Sequence, residues 1–389
     1  MIEPEIPIVN LKLPHEAFRE EIEAAIRRVL DRQSYILGAE VQELERAVAE
    51  RHNCPFGIGC ASGSDALLLA LLALGVGPGD TVLVPAFSFF ATAGSVARLG
   101  ARPFFVDIDP RTFNMNPRAV AEALQSQKDR GSVKAILPVH LFGQCADMDS
   151  LLALAHRHNL YVIEDAAQAI LARSGQRPAG SLGTCGCFSF FPTKNLGAYG
   201  DGGMILTRDA ALAERLRLLR NHGAVEKHIH SCLGINSRLD TLQAAILLLK
   251  LAQLGRWTEL RREKASFYRT AFSESGFSEP KAADPTREYP VVLPYEAPEN
   301  YHVFHQFTLR VSQRNALAQH LAAHGIGTAV HYPLPLHLQA AFAYVGFHRG
   351  SCPESERAAQ EVLSIPIYPE LTEEQQSRVV REIKSFYFS

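Results

Sequence analysis

The sequence predicts an α/β fold, with a large domain on a largely parallel sheet covered by helices and a smaller α+β C-terminal domain. Three observations carry this. Between Thr81 and Asp165, short apolar runs alternate with helical stretches. Those runs, such as TVLVP at 81–85 and LYVIE at 160–164 up to its terminal Glu164, are continuous rather than alternating in their apolar residues, as strands buried on both faces require. Around 273–300 the composition shifts to Pro, Glu, Asp and Ser, with prolines at 280, 285, 290, 294 and 298. We take residues 1–255 as the large domain with its N-terminal helical segment, and 256–389 as the small one. The length of 389 residues suits that division.

In order, Glu16–Asp31 and Ala39–His52 read as helices, with apolar residues at spacings of three and four around the SYILG break. Phe56–Cys60 is a short strand, and ASGSD at 61–65 opens the apolar helix Ala66–Leu74. Strands follow at Thr81–Pro85, Pro103–Ile108, Val133–Val139 and Leu160–Glu164, separated by helices at Ala91–Leu99, Pro117–Leu124 and Met148–His158. A buried aromatic strand, Cys187–Phe191, ends at Pro192; Met204–Thr207 is a strand and Ala210–Asn221 a helix. His222–Asn236 is a polar loop, and Leu239–Phe272 a long helix interrupted near Gly255. The small domain has strands at Phe304–Val311 and Ile326–Val330, and helices at Asn315–His324, Pro353–Leu363 and Thr372–Phe386.

Bulk properties exclude several classes. Apolar residues make up 47% and charged residues 21%, so a packed core is expected. A net charge of -2 offers no electrostatic case for nucleic acid or a membrane surface. No apolar run reaches the roughly 20 residues of a membrane span. The N-terminus MIEPEIPIVNLKLP lacks a signal pattern, and seven scattered cysteines fit reduced thiols, so a cytoplasmic location is expected.

In open α/β sheets ligands sit beyond the carboxyl ends of strands, and four stretches there carry chemistry. The first is CFSFFPTKNLGAYGDGG at 187–203. Lys194 stands between a buried strand and a glycine-rich turn, where lost solvation lowers its pKa and frees a nucleophilic amine. Taken alone, the stretch favours an ordinary surface lysine at a strand end. The second, ASGSD, places Gly63, Ser64 and the Asp65 amide at a helix N-terminus, either as a phosphate site or as a plain cap made by Ser62 or Ser64. The third, PAFSFFAT, offers phenylalanines that stack on a heterocycle or fill the core. In the fourth, EDAAQ, Asp165 is a poorly solvated acid needing a cationic partner, or a helix cap. A lysine, an acid, an aromatic face and an anion site are together what pyridoxal phosphate requires. A dinucleotide fingerprint fails in GIGCASG, because Ser62 stands where the third glycine belongs.

From SYILG through ASGSDALLLAL, GVGPGD, VDIDP, PVHLFGQCADMD, EDAAQ, FSFFPTKNLGAYGDGG and NSRLDTLQAA to PLHLQ, the chain resembles the DegT/StrS-type sugar aminotransferases. The resemblance implies the pyridoxal-phosphate-dependent transferase fold type I, a mostly parallel mixed sheet sandwiched by helices. It implies that Lys194 holds pyridoxal 5'-phosphate as a Schiff base and then moves protons, while Asp165 pairs with the pyridine nitrogen. Gln168 would bond the ring hydroxyl and Phe89 would stack on the ring. Ser64, the Asp65 amide and Ser189 would hold the phosphate. Asn236 would reach the cofactor phosphate of a neighbouring subunit, which implies a homodimer. Tyr35, Tyr199 and Arg238 are implied substrate contacts, and His331, Tyr332 and His337 lie in a loop that resembles the family's substrate-facing segment, where each reads equally as packing or surface. Thr193 replaces the usual serine before the lysine and keeps the hydroxyl. The implied donor is glutamate and the implied acceptor a nucleotide-linked ketosugar, most similar to the 3-keto-6-deoxy class, with 4-keto and uronate sugars as alternatives. A nicotinamide-dependent oxidoreductase and a non-catalytic regulator are the competing functions. No metal site is expected: His228-x-His230 has no carboxylate or cysteine at helical spacing beside it.

Overall fold

The computed structural model describes residues 5–126, 133–277 and 290–388. Its N-terminal helices are α1 (Lys12–Ala17), α2 (Arg19–Arg32) and α3 (Ala39–Arg51), so the first expected helix is two, divided at Phe18. The sheet is then laid down by β1 (Phe56–Cys60), β2 (Thr81–Pro85), β3 (Arg102–Val106), β4 (Val133–Ile136) and β5 (Tyr161–Asp165). Helices α4 (Gly63–Ala73), α5 (Ala91–Arg98), α6 (Pro117–Ser126) and α7 (Met148–His158) lie between them. A small hairpin, β6 (Arg173–Ser174) and β7 (Arg177–Pro178), precedes β8 (Cys185–Ser189) and β9 (Gly203–Thr207).

Seven strands join in the order β1-β9-β8-β5-β4-β2-β3. The pairs β8–β5, β5–β4, β4–β2 and β2–β3 are parallel, and β9 runs antiparallel to both its neighbours. The sheet is therefore mostly parallel and mixed. Alternate residues face opposite sides. Val82, Val84, Ala135, Ile163, Cys187 and Ile205 pack with α4 and α5. On the other side Leu83, Ile136 and Val162 meet α6 and α7, whereas Phe188, Met204 and Leu206 meet α3 and the long helix described next.

After β9 come α8 (Ala210–Leu219), the exposed hairpin β10 (Ala224–Glu226) and β11 (Ile229–His230), and α9 (Thr241–Glu274). The expected interruption at Gly255 is absent, and α9 is one helix of 34 residues. A Cβ on Gly255 would meet nothing within 4 Å, so the glycine sits on an open face. There it costs only about 1 kcal/mol of helix propensity. The boundary read at residue 255 thus falls inside a continuous helix. Along α9, residues up to Leu254 join the core beneath β8 and β9, and those from Ala265 onward join a separate C-terminal core.

That C-terminal part contains β12 (Val291–Val292), β13 (Asn300–Tyr301), β14 (Phe307–Val311), α10 (Arg314–Ala323), α11 (Pro353–Glu361), β15 (Val362–Ile365) and α12 (Glu373–Phe388). Strand β13 pairs with β6, while β12, β14 and β15 form a three-stranded sheet. Two expectations change here. Ile326–Val330 makes only isolated bridges, Ile326 with Ile6 and Ala329 with Ser364. Leu363, read as the end of a helix, lies in β15, where pairing with β14 overrides local preference. Pro280 and Pro285 lie outside the described residues. Seven free cysteines agree with reduced thiols, and among the described residues no helix is long and apolar enough to cross a membrane.

Candidate active site

Strand β5 ends in two buried acids, Glu164 and Asp165. Asp165 accepts from Thr92 Oγ1, at the start of α5, at 2.8 Å and from the Ala167 amide at 3.2 Å. Burial pushes its carboxyl above the ordinary range, against the pull of these two donors and of the Lys194 charge. No ion pair reaches it among the described residues. The chain after Asp165 turns into the β6–β7 hairpin, so the helix-cap reading is excluded.

Lys194 follows β8 in a turn closed by its own amide donating to the Phe191 carbonyl at 2.8 Å. Its Nζ has no hydrogen-bond or ion-pair partner among the described residues. Burial pulls its pKa down to about 8, opposed by the attraction of Asp165. Phe191, expected in the buried strand, is 49% exposed, because β8 stops at Ser189 and Pro192 turns the chain. Neutral histidines surround the lysine. Burial first, then the Lys194 charge, lowers His331 to about 4 and holds His305 well below its usual range. His305 Nδ1 lies 3.1 Å from Asn195 Oδ1, which anchors the residue after Lys194. Thr92, Asn195 and His305 were missed in the sequence. Only the PAFSFFAT stretch carried a trace of the first.

At the start of α4 the Ser62 hydroxyl accepts from the Asp65 amide at 3.1 Å. The cap reading therefore holds for Ser62, and the Asp65 amide expected on phosphate is already engaged. The Gly63 and Ser64 amides of this first turn are left without an intrahelical partner. A Cβ on Gly63 would come 2.6 Å from Ser189 Cβ, so only glycine lets β8 close this cradle. Ser189 Oγ accepts from the Phe191 amide at 3.2 Å.

Phe89 is 56% exposed, with its ring 6.2 Å from that of Tyr332. The Gln168 Oε1 accepts from the Phe142 amide at 2.7 Å and its Nε2 donates to the Tyr332 hydroxyl at 3.1 Å. One N–H of that amide remains for a ring hydroxyl. Burial raises the Tyr332 hydroxyl, followed by the effect of Asp165. These residues and Lys194 are therefore brought into one electrostatic neighbourhood.

The other candidates scatter. His331 Nδ1 lies 3.1 Å from Ser364 Oγ. His337 is buried beside Glu356 at 3.0 Å and the Phe105 ring, so of its two readings packing is the one observed. Tyr35 and Asn236 are exposed, and Arg238 donates to Asn221 Oδ1 at 3.0 Å. Tyr199, its hydroxyl 2.7 Å from His15 Nδ1, lines a cavity of about 530 Å³ with Lys194, Lys250, Trp257 and Glu370. Asp165, Gln168 and Tyr332 do not line it. Gly57 and Gly59 of GIGCASG run along β1, an edge strand antiparallel to β9, which is no setting for a dinucleotide βαβ unit.

The site thus offers an unpartnered amine, a buried acid without a cation, an exposed ring and an open helix start. Comparison with known proteins agrees. The DegT/DnrJ/EryC1/StrS aminotransferase family matches residues 16–384. A pleiotropic regulatory protein of Geobacillus stearothermophilus is 51% identical over 98% of both chains. A UDP-N-acetyl-3-dehydro-alpha-D-glucosamine 3-aminotransferase of Acidithiobacillus ferrooxidans is 45% identical over 97% of both. The crystal structure of S. venezuelae DesV in complex with a ketimine intermediate is 41% identical, covers 100% of both chains and superposes with a TM-score of 0.92. With its sheet order, its lysine and its acid in place, the chain belongs to the DegT/DnrJ/EryC1/StrS aminotransferase family and is an enzyme of the transaminase class.

Proposed function

We propose that the chain moves the amino group of L-glutamate to the keto group of a nucleotide-linked sugar, with pyridoxal 5'-phosphate held on Lys194. The observation that carries this is the coexistence, in one electrostatic neighbourhood, of the desolvated Lys194 amine, brought to about 8, and the buried Asp165 carboxyl, which has no ion-pair partner among the described residues. When bound, pyridoxal phosphate supplies a protonated ring that withdraws electrons from the reacting carbon. The residues fit it. Asp165, raised by burial, regains its charge once a cationic nitrogen stands against it, with Thr92 and the Ala167 amide fixing the carboxylate. Gly63, Ser64 and Ser189 form the anion cradle, Phe89 offers the ring face, and Gln168 keeps one N–H for the ring hydroxyl.

Lys194 Nζ, lowered towards neutrality, takes a proton from the donor carbon and returns it to the acceptor side. His305 and His331, both lowered by burial, add no positive charge beside Lys194 and Asp165. Tyr35, Tyr199, Arg238, His331 and Tyr332 are the proposed sugar-nucleotide contacts. Asn236, exposed at the foot of the β10–β11 hairpin, reaches the cofactor phosphate of a second copy in a cytoplasmic homodimer.

In this reading the keto group stands at C3 of the sugar. The stretch around Lys194 resembles enzymes acting on 3-keto-6-deoxy sugars, and the Acidithiobacillus relative is named as a 3-aminotransferase. A regulatory role is the second reading, favoured by the name of the Geobacillus relative. The visible spectrum of the pyridoxal-phosphate-loaded protein, before and after L-glutamate, separates them. Bleaching of the yellow band, followed by its return on adding a 3-keto nucleotide sugar, is the expected outcome. A yellow protein indifferent to both substrates supports the regulator.

A further inference from the structure

A cluster of metal-ligating side chains lies outside the Lys194 cleft, in the C-terminal part. His320 on α10, His324 just beyond its end and Glu382 on α12 bring one ligand atom each within 4.8 Å of one another. The spacing of four residues puts both imidazoles on one face, with ring centroids 4.4 Å apart. His320 Nε2 is 3.9 Å and His324 Nε2 is 3.7 Å from Glu382 Oε2.

Two of the three ligand atoms, His324 Nε2 and Glu382 Oε2, are pre-oriented, whereas His320 Nε2 would exchange its Ser385 Oγ contact for the ion. His324 Nδ1 lies 2.8 Å from the His320 carbonyl, which can only accept. The proton is therefore on Nδ1 and the Nε2 lone pair points outward, the arrangement by which a second hydrogen bond fixes a metal-ligating histidine. Glu382 Oε1 is held by Arg381 Nε at 3.3 Å, leaving Oε2 for the histidines. The Phe386 ring lies 5.5 Å from that of His320, and Ser385 Oγ lies 3.4 Å from its Nε2. Simple ion pairing accounts for this less well. Glu382 already has the Arg381 cation, with Arg381 Nε 3.3 Å from its Oε1.

We propose that His320 Nε2, His324 Nε2 and Glu382 Oε2 bind a divalent transition-metal ion of the zinc type, clipping the end of α10 to α12. Two imidazoles and a carboxylate suit zinc, and tetrahedral bonds of about 2.0–2.1 Å set ligand atoms about 3.4 Å apart. The two histidine–carboxylate separations, 3.9 and 3.7 Å, lie near that spacing, and all three ligand atoms lie within 4.8 Å of one another. Side-chain exposures of 24%, 46% and 14% leave a path for the ion and room for water as fourth ligand.

The test is calorimetric titration of the chelator-stripped full-length protein with zinc chloride, repeated on His324→Ala, His320→Gln and Glu382→Gln. One equivalent per chain is expected, weakened at least tenfold in each variant, with zinc raising the Tm of the wild type alone. Cobalt(II) chloride should give a visible absorption band that the same variants lose. No binding up to about 1 mM zinc, or binding and cobalt spectra unchanged in the variants, overturns the site. All of these readouts are independent of transamination.

Discussion

Glu164 and Asp165 are neighbours on one strand and both are buried, yet their surroundings differ. Glu164 is saturated: the Gly180, Leu182 and Gly183 amides each donate to it at 2.7 Å, and His140 Nε2 lies 2.8 Å away. Because His140 Nδ1 accepts from the Ala146 amide, its proton sits on Nε2 and points at Glu164. Among the described residues the Asp165 side chain has two donors and no ion-pair partner. The first acid closes the backbone around β8; the second is left for a ligand. Two lysines repeat the contrast. Burial brings both Lys194 and Lys250 to about 8, but Lys250 donates to the Gly197 carbonyl at 2.7 Å and sits 4.3 Å over the Tyr199 ring. Burial does not by itself mark a functional group; burial with unspent valence does.

The largest effect that would break this comparison is at the lysines. Lys194→Ala should lower glutamate-dependent turnover by about 10²–10⁴-fold through lost proton transfer alone, while Lys250→Met stays within a few-fold of wild type. Stopped-flow spectroscopy of the donor half-reaction distinguishes them, and equal losses would erase the distinction. Next come the acids. Glu164→Gln turns an amide towards buried donors, at about 1–3 kcal/mol for each one left unpaired, so thermal denaturation should show a clear fall in Tm with activity per folded molecule retained. Asp165→Asn should do the reverse, keeping Tm and losing turnover.

A smaller effect sharpens the picture. Thr92→Val removes a hydrogen bond to a carboxylate, worth about 1.5–3 kcal/mol, and raises the Asp165 pKa further. The acidic limb of the kcat profile should move to higher pH, whereas a stationary limb would separate Thr92 from the acid. The smallest effect is on the stability of the cofactor-free protein. Between about pH 8 and the ordinary lysine value, the unfolded chain keeps protons on Lys194 and Lys250 that the folded chain has released. Stability contributed by these groups therefore rises with pH across that window. Denaturant midpoints should show a shallower rise in Lys250→Met.

The strand–helix alternation was legible along the chain because buried parallel strands must be apolar throughout. Lys194, Asp165 and the ASGSD start were legible because glycines and strand ends confine where they can lie. Phe191 was misjudged because one turn, at Pro192, decides its side of the chain. Leu363 was misjudged because its strand partner is more than 50 residues away, in β14.

What the sequence determined by itself is local: apolar periods, caps, the lysine in its glycine-rich turn and an acid at a strand end. Only the tertiary structure decided which groups were satisfied. It gave Glu164 its amides, took the Asp65 amide for Ser62 and buried His337 beside Glu356. It also set His320 and His324 against Glu382. The physical reason is that a hydrogen bond or a desolvation cost depends on distance in space, and partners such as Thr92 and Asp165, 73 residues apart, meet only when the sheet assembles.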